Sequence, residues 1–152
     1  MTVRVQAADF DIGREIAALR AGNRAVGAIA SFIGTVRDLN DGVEVNGMTL
    51  EHYPGMTERA LEEIVAQARA RWDILDALVV HRFGELRPLD QIVLVVVTSA
   101  HRGEAFAACA FIMDFLKTKA PFWKRETTPE GPRWVEARAA DDEAAASWNA
   151  GR

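Results

Sequence analysis

The sequence predicts an α+β fold, in which helices and strands do not strictly alternate. Three stretches carry that expectation. Residues 75–83 and Gln91–Ser99 are apolar β-branched runs separated by GELRPLD, whose glycine, proline and aspartate supply a turn, so the two runs read as antiparallel neighbours. Met56, Ala60, Leu61, Ile64, Val65, Ala68 and Trp72 recur at helical spacing. Phe106, Ala110, Met113 and Leu116 or Lys117 mark a second helix over residues 103–119, which Pro121 stops.

The remaining elements follow in order. Residues 2–6 alternate like a short strand, and Asp11 is placed to cap a helix running to about Arg20. Residues 25–36 (AVGAIASFIGTV) read as a long strand, with Gly27 and Gly34 as bulges or points of close backbone approach. After the loop DLNDG, residues 45–53 alternate imperfectly and suit a second strand paired with the first, ended by Pro54-Gly55. Thr57 is positioned to cap the next helix. The run IVLVVV lacks alternation, so both its faces are expected to be covered, by helices on one side and a subunit or second layer on the other. Beyond Pro121, FWKRE is extended, TPEGPRW turns, WVEAR pairs back with FWKRE, and DDEAAASW forms a short C-terminal helix.

Composition bounds the function. A chain of 152 residues, 49% apolar and 26% charged, fits one domain over residues 1–152 and an ordinary globular class. Its formal net charge of -4 disfavours nonspecific binding to nucleic acid or to an anionic membrane. The longest apolar runs are far too short to cross a bilayer as a helix, and MTVRVQAADF lacks the apolar stretch of a signal peptide. The single cysteine, Cys109, lies in an apolar setting and reads as a small buried side chain; a reducing cytoplasm is the expected location.

Charge is unevenly placed. All three lysines, Lys117, Lys119 and Lys124, fall within eight residues, while the fifteen arginines are spread from Arg4 to Arg152. Lysine, unlike arginine, can be shifted into use as an acid, base or nucleophile. Two readings of the cluster stay open on spacing alone: chemistry, or cations decorating a helix C-terminus. Lys124, between Trp123 and Arg125, is expected to have a lowered pKa from these bulky and cationic neighbours. His101-Arg102 follows an apolar strand and opens a helix, a position that favours an anion such as phosphate, although capping and packing also suit the pair. Arg37 follows the long strand and is equally readable as a solvated charge.

Other chemistries find little support. His52, His81, His101 and Cys109 lack metal-ligand spacing, and neither a phosphate loop, a dinucleotide glycine motif nor a GxSxG elbow is present. No cofactor or metal is expected.

The segments LEHYPGMTE (50–58), VHRFGEL (80–86), VTSAHR (97–102), FIMDFLKTKAPFWKRE (111–126) and WVEAR (134–138) together resemble the large, catalytic subunit of molybdopterin synthase, over roughly residues 25–148. The resemblance implies an α/β hammerhead fold with an additional small antiparallel sheet, and a cytoplasmic sulfurtransferase of molybdenum cofactor biosynthesis. It implies a central homodimer, each large subunit binding a small ubiquitin-like sulfur carrier to make a heterotetramer. The implied reaction inserts two sulfurs, delivered as a thiocarboxylate on the carrier's tail, into cyclic pyranopterin monophosphate. Carried over onto matching positions, Lys117 and Lys124 are the catalytic lysines, and His101 and Arg102 hold the anion. Thr35, Val36 and Arg37 line the substrate, and so do Arg125 and Glu126 of the KRE triplet. Lys119 supplies charge alone. Two rivals are a noncatalytic adaptor for a ubiquitin-like tail and a phosphometabolite-binding protein.

Overall fold

The computed structural model describes residues 1–40, 43–44, 46–135 and 139–149. The chain order is β1 (Thr2–Gln6), α1 (Ile12–Arg20), β2 (Ala28–Thr35), β3 (Leu39–Asn40), β4 (Val43–Glu44), β5 (Gly47–His52), α2 (Met56–Arg71), β6 (Asp76–Arg82), β7 (Gly84–Leu86), β8 (Gln91–Ser99), α3 (Arg102–Lys119), β9 (Phe122–Thr128), β10 (Gly131–Val135) and α4 (Ala139–Asn149). Residues 136–138 of the expected WVEAR strand lie outside the described residues.

Two four-stranded sheets organise these elements, in the orders β1-β6-β8-β2 and β10-β9-β5-β7, with β3 and β4 forming a separate two-stranded pair. In the first, β6 and β8 are antiparallel from Asp76↔Thr98 to His81↔Val93, as their composition predicted. The unalternating β8 is explained by cover on both faces. Val93, Val95 and Val97 pack with Leu61, Ile64, Phe111 and Ile112 of α2 and α3, while Leu94 and Val96 pack with Phe10 and with Ile12, Ile16 and Leu19 of α1. The second cover is therefore α1 of the same chain. Each fully buried branched side chain contributes about 1.5–3 kcal/mol, so this strand is the centre of the molecule's stability.

The sequence misassigned one pairing. The strand after DLNDG does not pair with β2; β5 pairs instead with β7 and β9, in the second sheet. The turn segment GELRPLD contributes β7 to that sheet, and Met48, Leu50 and Leu86 make a third core cluster with Val36. Period-two alternation reveals which face of a strand is buried, and the partner is chosen by long-range packing. Thr57 likewise lies inside α2, where its Oγ1 accepts from the Tyr53 N–H at 3.1 Å; the residue before the helix is Gly55, at φ 85°. The reciprocal half of a capping box is present, the Glu58 carboxylate accepting from the Gly55 N–H. Asp11 does cap α1, accepting from the Arg14 N–H at 3.0 Å.

Both strand glycines act as expected. A Cβ on Gly27 would stand 2.2 Å from the Ala100 carbonyl oxygen, and the β2–β8 register shifts between Gly34 and Thr35. Among the described residues no helix is long and apolar enough to cross a membrane.

At the C-terminus, Trp148 of α4 is buried against Trp72 and Phe111, and its Nε1–H donates to Asp114 Oδ2 at 2.7 Å. The Arg71 guanidinium lies 5.0–5.6 Å from all three rings. These contacts hold α4 against α2 and α3.

Candidate active site

The segment expected to carry the chemistry straddles Pro121. Upstream, α3 packs back over β8 and β2 and ends with Lys117 and Lys119 in its last turn, both exposed. Downstream, β9 alternates strictly. Phe122, Lys124, Glu126 and Thr128 turn inward, and Trp123, Arg125 and Thr127 turn outward. On the neighbouring strand Met48, Leu50 and His52 face the same side, opposite Glu126, Lys124 and Phe122 respectively.

This alternation brings Lys124 to Lys117. Their side chains interact, and the Lys124 pKa falls from 10.5 to about 8. Burial of the ammonium is the largest cause, followed by the charge of Lys117 and the hydrogen bond from it, with Asp141 and Glu126 opposing. An ammonium has three donors and no acceptor, so a Lys–Lys hydrogen bond requires one partner as the free amine. Lys124, whose pKa is lowered, is that partner once it has lost its proton, its lone pair then free to accept from Lys117. The lowered pKa was expected, but its cause was not, because Trp123 and Arg125 lie on the other face of the strand. Trp123 is 40% exposed and meets Tyr53 edge-on at 4.5 Å, whereas Phe122 is the ring that packs inward.

The other expected residues divide by position. Glu126, 3% exposed, shares the inward face with Lys124. Val36 is buried in the third core cluster, with its N–H donated to the Asp90 carbonyl at 2.9 Å. Thr35 and Arg37, both exposed, sit at the β2 terminus that pairs near Gln91, the end of the first sheet where α3 finishes. His101 and Arg102 are not brought to this site. They sit at the head of α3, exposed in an open depression with Gly27, Ala100, Gly103 and Glu104. Arg102 and Lys117 are fifteen positions apart on one helix, so about 22 Å separates them at 1.5 Å per residue.

Two histidines behind the lysines escaped the sequence reading, which weighed them only as metal ligands. His81 is 4% exposed, stacks flat on Phe122 (centroids 3.7 Å apart, 17°) and donates Nδ1–H to the Arg82 carbonyl at 2.8 Å. Its pKa is held down to about 3, first by burial and then by the charges of Lys124, Lys117 and His52, against the hydrogen bond to Arg82. The sign is clear. Below pH 6.5 the unfolded imidazole takes up a proton that the native ring refuses until about pH 3, so stability is lost across that window as pH falls. The loss should reach on the order of 3 kcal/mol by pH 4. His81→Phe, which keeps the stack, should shed less stability between pH 7 and pH 4 in urea unfolding; an unchanged difference would contradict the burial of a neutral ring. Cys109, by contrast, is an inert buried thiol, pushed up to about 11 by desolvation.

Comparison with known proteins identifies the family. The family model described as MoaE protein matches residues 5–119. The chain is 68% identical over 147 residues to a molybdopterin synthase catalytic subunit from Ralstonia nicotianae, covering 97% of this chain and 84% of that one. A solved Molybdopterin biosynthesis MoaE protein from Burkholderia ambifaria aligns at TM-score 0.83 and 60% identity, over 97% of each chain. The fold alone is shared with a Helicobacter pylori structure described as a protein-protein complex of subunits 1 and 2 of molybdopterin-converting factor. That alignment has TM-score 0.73 and 19% identity, over 90% of this chain and 91% of that one. The motifs around the lysine pair and the whole-chain fold thus point the same way: the chain belongs to the MoaE protein family.

Proposed function

We infer that this chain is the catalytic subunit of a molybdopterin synthase. It inserts two sulfurs into cyclic pyranopterin monophosphate, taking each from the thiocarboxylated C-terminus of a small ubiquitin-like subunit. The observation that carries the reading is the Lys117–Lys124 pair, in which burial and a neighbouring cation bring the pKa of one amine down to about 8. Sulfur attack on carbon needs a group that gives or takes a proton near neutral pH and a cation for charge developing on the acyl oxygen. Lys124 fits the first role and Lys117 the second. An adaptor that only grips a tail has no use for a buried amine with a pKa of about 8.

The phosphate is the harder requirement. His101 and Arg102 suit an anion at the head of α3, yet about 22 Å of helix parts them from the lysines within one chain. A homodimer removes the conflict if a second copy supplies His101 and Arg102 to the lysine pair of the first, with Arg37 and Thr35 at the same end as the lysines. Arg125, on the outward face beside Trp123, suits contact with the small subunit better than with the pterin. Two large and two small subunits then make a cytoplasmic heterotetramer, each large subunit a single domain. The test is direct: this chain, a thiocarboxylated small subunit and the cyclic precursor should yield the dithiolene product. Absence of product with all three present would refute the reading.

A further inference from the structure

Behind the lysine pair lies a group that the reaction above leaves unused. His52 ends β5 on the inward face, opposite Phe122 and therefore diagonal to Lys124, whose direct partner is Leu50. Diagonal neighbours in an antiparallel pair stand 7–8 Å apart, within reach of long and aromatic side chains. The His52 ring lies 4.6 Å from that of Phe83 and 6.2 Å from that of Phe122, and its side chain is 9% exposed. Its Nδ1 is buried without a hydrogen-bond partner among the described residues. A buried nitrogen left in that condition is costly and calls for a reason. Glu58 of α2 stands beside it, with Oε1 3.9 Å from Nδ1 and its side chain 32% exposed. His81 from β6 feels the charges of His52, Lys124 and Lys117 together.

On the functional reading above, Lys124 must exchange a proton with solvent in every cycle. In the free subunit the exposed Lys117 provides a way out, but a bound tail and substrate would cover it. We propose that His52 and Glu58 form a rear proton port for Lys124, operating when the front of the site is filled. A proton leaves Lys124 Nζ for the His52 ring, the ring gives one from Nδ1 to the Glu58 carboxylate, and Glu58 releases it to water; no electrons move, and the reverse sequence recharges the lysine. His81 cannot serve in its place, since its Nδ1–H is committed to the Arg82 carbonyl. His52 thus acts through Lys124, as a relay and positioning residue.

The experiment uses the complete complex with the thiocarboxylated small subunit. His52→Gln should lower kcat about tenfold, leave KM within twofold and enlarge the solvent deuterium isotope effect. Glu58→Gln, which can still accept from the Gly55 N–H, should lower kcat in the same direction. His52→Gly should be rescued by imidazole and methylimidazoles in proportion to their basicity. Independently of turnover, proton exchange between Lys124 Nζ and water, read by NMR on 15N-lysine protein with the small subunit bound, should slow about tenfold in His52→Gln. Unchanged exchange would overturn the port, as would a fall in kcat with neither an altered isotope effect nor rescue. An inactive wild type would count against the synthase reading instead, because the exchange measurement stands without it.

Discussion

Lys124→Met is expected to abolish dithiolene formation while making the protein more stable at pH 7. The folded chain holds this lysine at a pKa of about 8 instead of 10.5, a difference worth roughly 3 kcal/mol at 1.36 kcal/mol per unit. At pH 7 the lysine is protonated in both states, so the cost of burying its charge is present in full. Methionine fills the same space without the charge, and a gain of about 1–3 kcal/mol should appear as a rise of several degrees in Tm. Wild-type stability should itself climb between pH 8 and 10.5, because the unfolded chain keeps a proton that the folded chain has released. The variant should lack that climb. Turnover should fall by about a hundredfold or more, the usual scale for losing a general acid or base. A variant that is both active and less stable than wild type would remove Lys124 from its assigned role.

Two inactive variants are expected to rescue each other. If each site takes its lysines from one copy and His101 and Arg102 from the other, a dimer of Lys124→Met with Arg102→Ala chains contains one intact site and one doubly damaged site. Co-refolded mixtures, half heterodimer by chance, should recover about a quarter of wild-type activity through the two-fold symmetry of the dimer. Sites confined to single chains would give no recovery, since every chain carries a lesion. The outcome therefore separates a shared site from a local one, using chains that differ from wild type by single side chains. Lys117→Arg adds a narrower comparison: it retains the cation but replaces the compact ammonium, and survival of activity would make Lys117 a charge and nothing more.

Much of this molecule was legible in the amino-acid order because the signals are local. Asp11 caps its helix through its own side chain, Pro121 ends α3 by geometry, and the antiparallel β6–β8 pair follows from two apolar runs joined by a short connection. The motifs around Lys117, Lys124 and His101 pointed to the family without any coordinates. Long-range choices were another matter. That β5 joins β9 and β7, and not β2, depends on which faces could be buried together. The separation of His101 from the lysines is only a helix length, but it acquires meaning once α3 is seen to run from one end of the first sheet to the other.

The sequence by itself singled out the candidate residues: a lysine cluster at a helix-to-strand junction and an anion-suited pair at a helix head. Only the tertiary structure decided which of the lysines meet and which of them has its pKa lowered. Strand alternation turns Lys124 inward and Arg125 outward, and packing beneath α3 buries one ammonium beside another. A sequence lists charges, whereas their pKa values depend on the desolvation and neighbours that folding imposes.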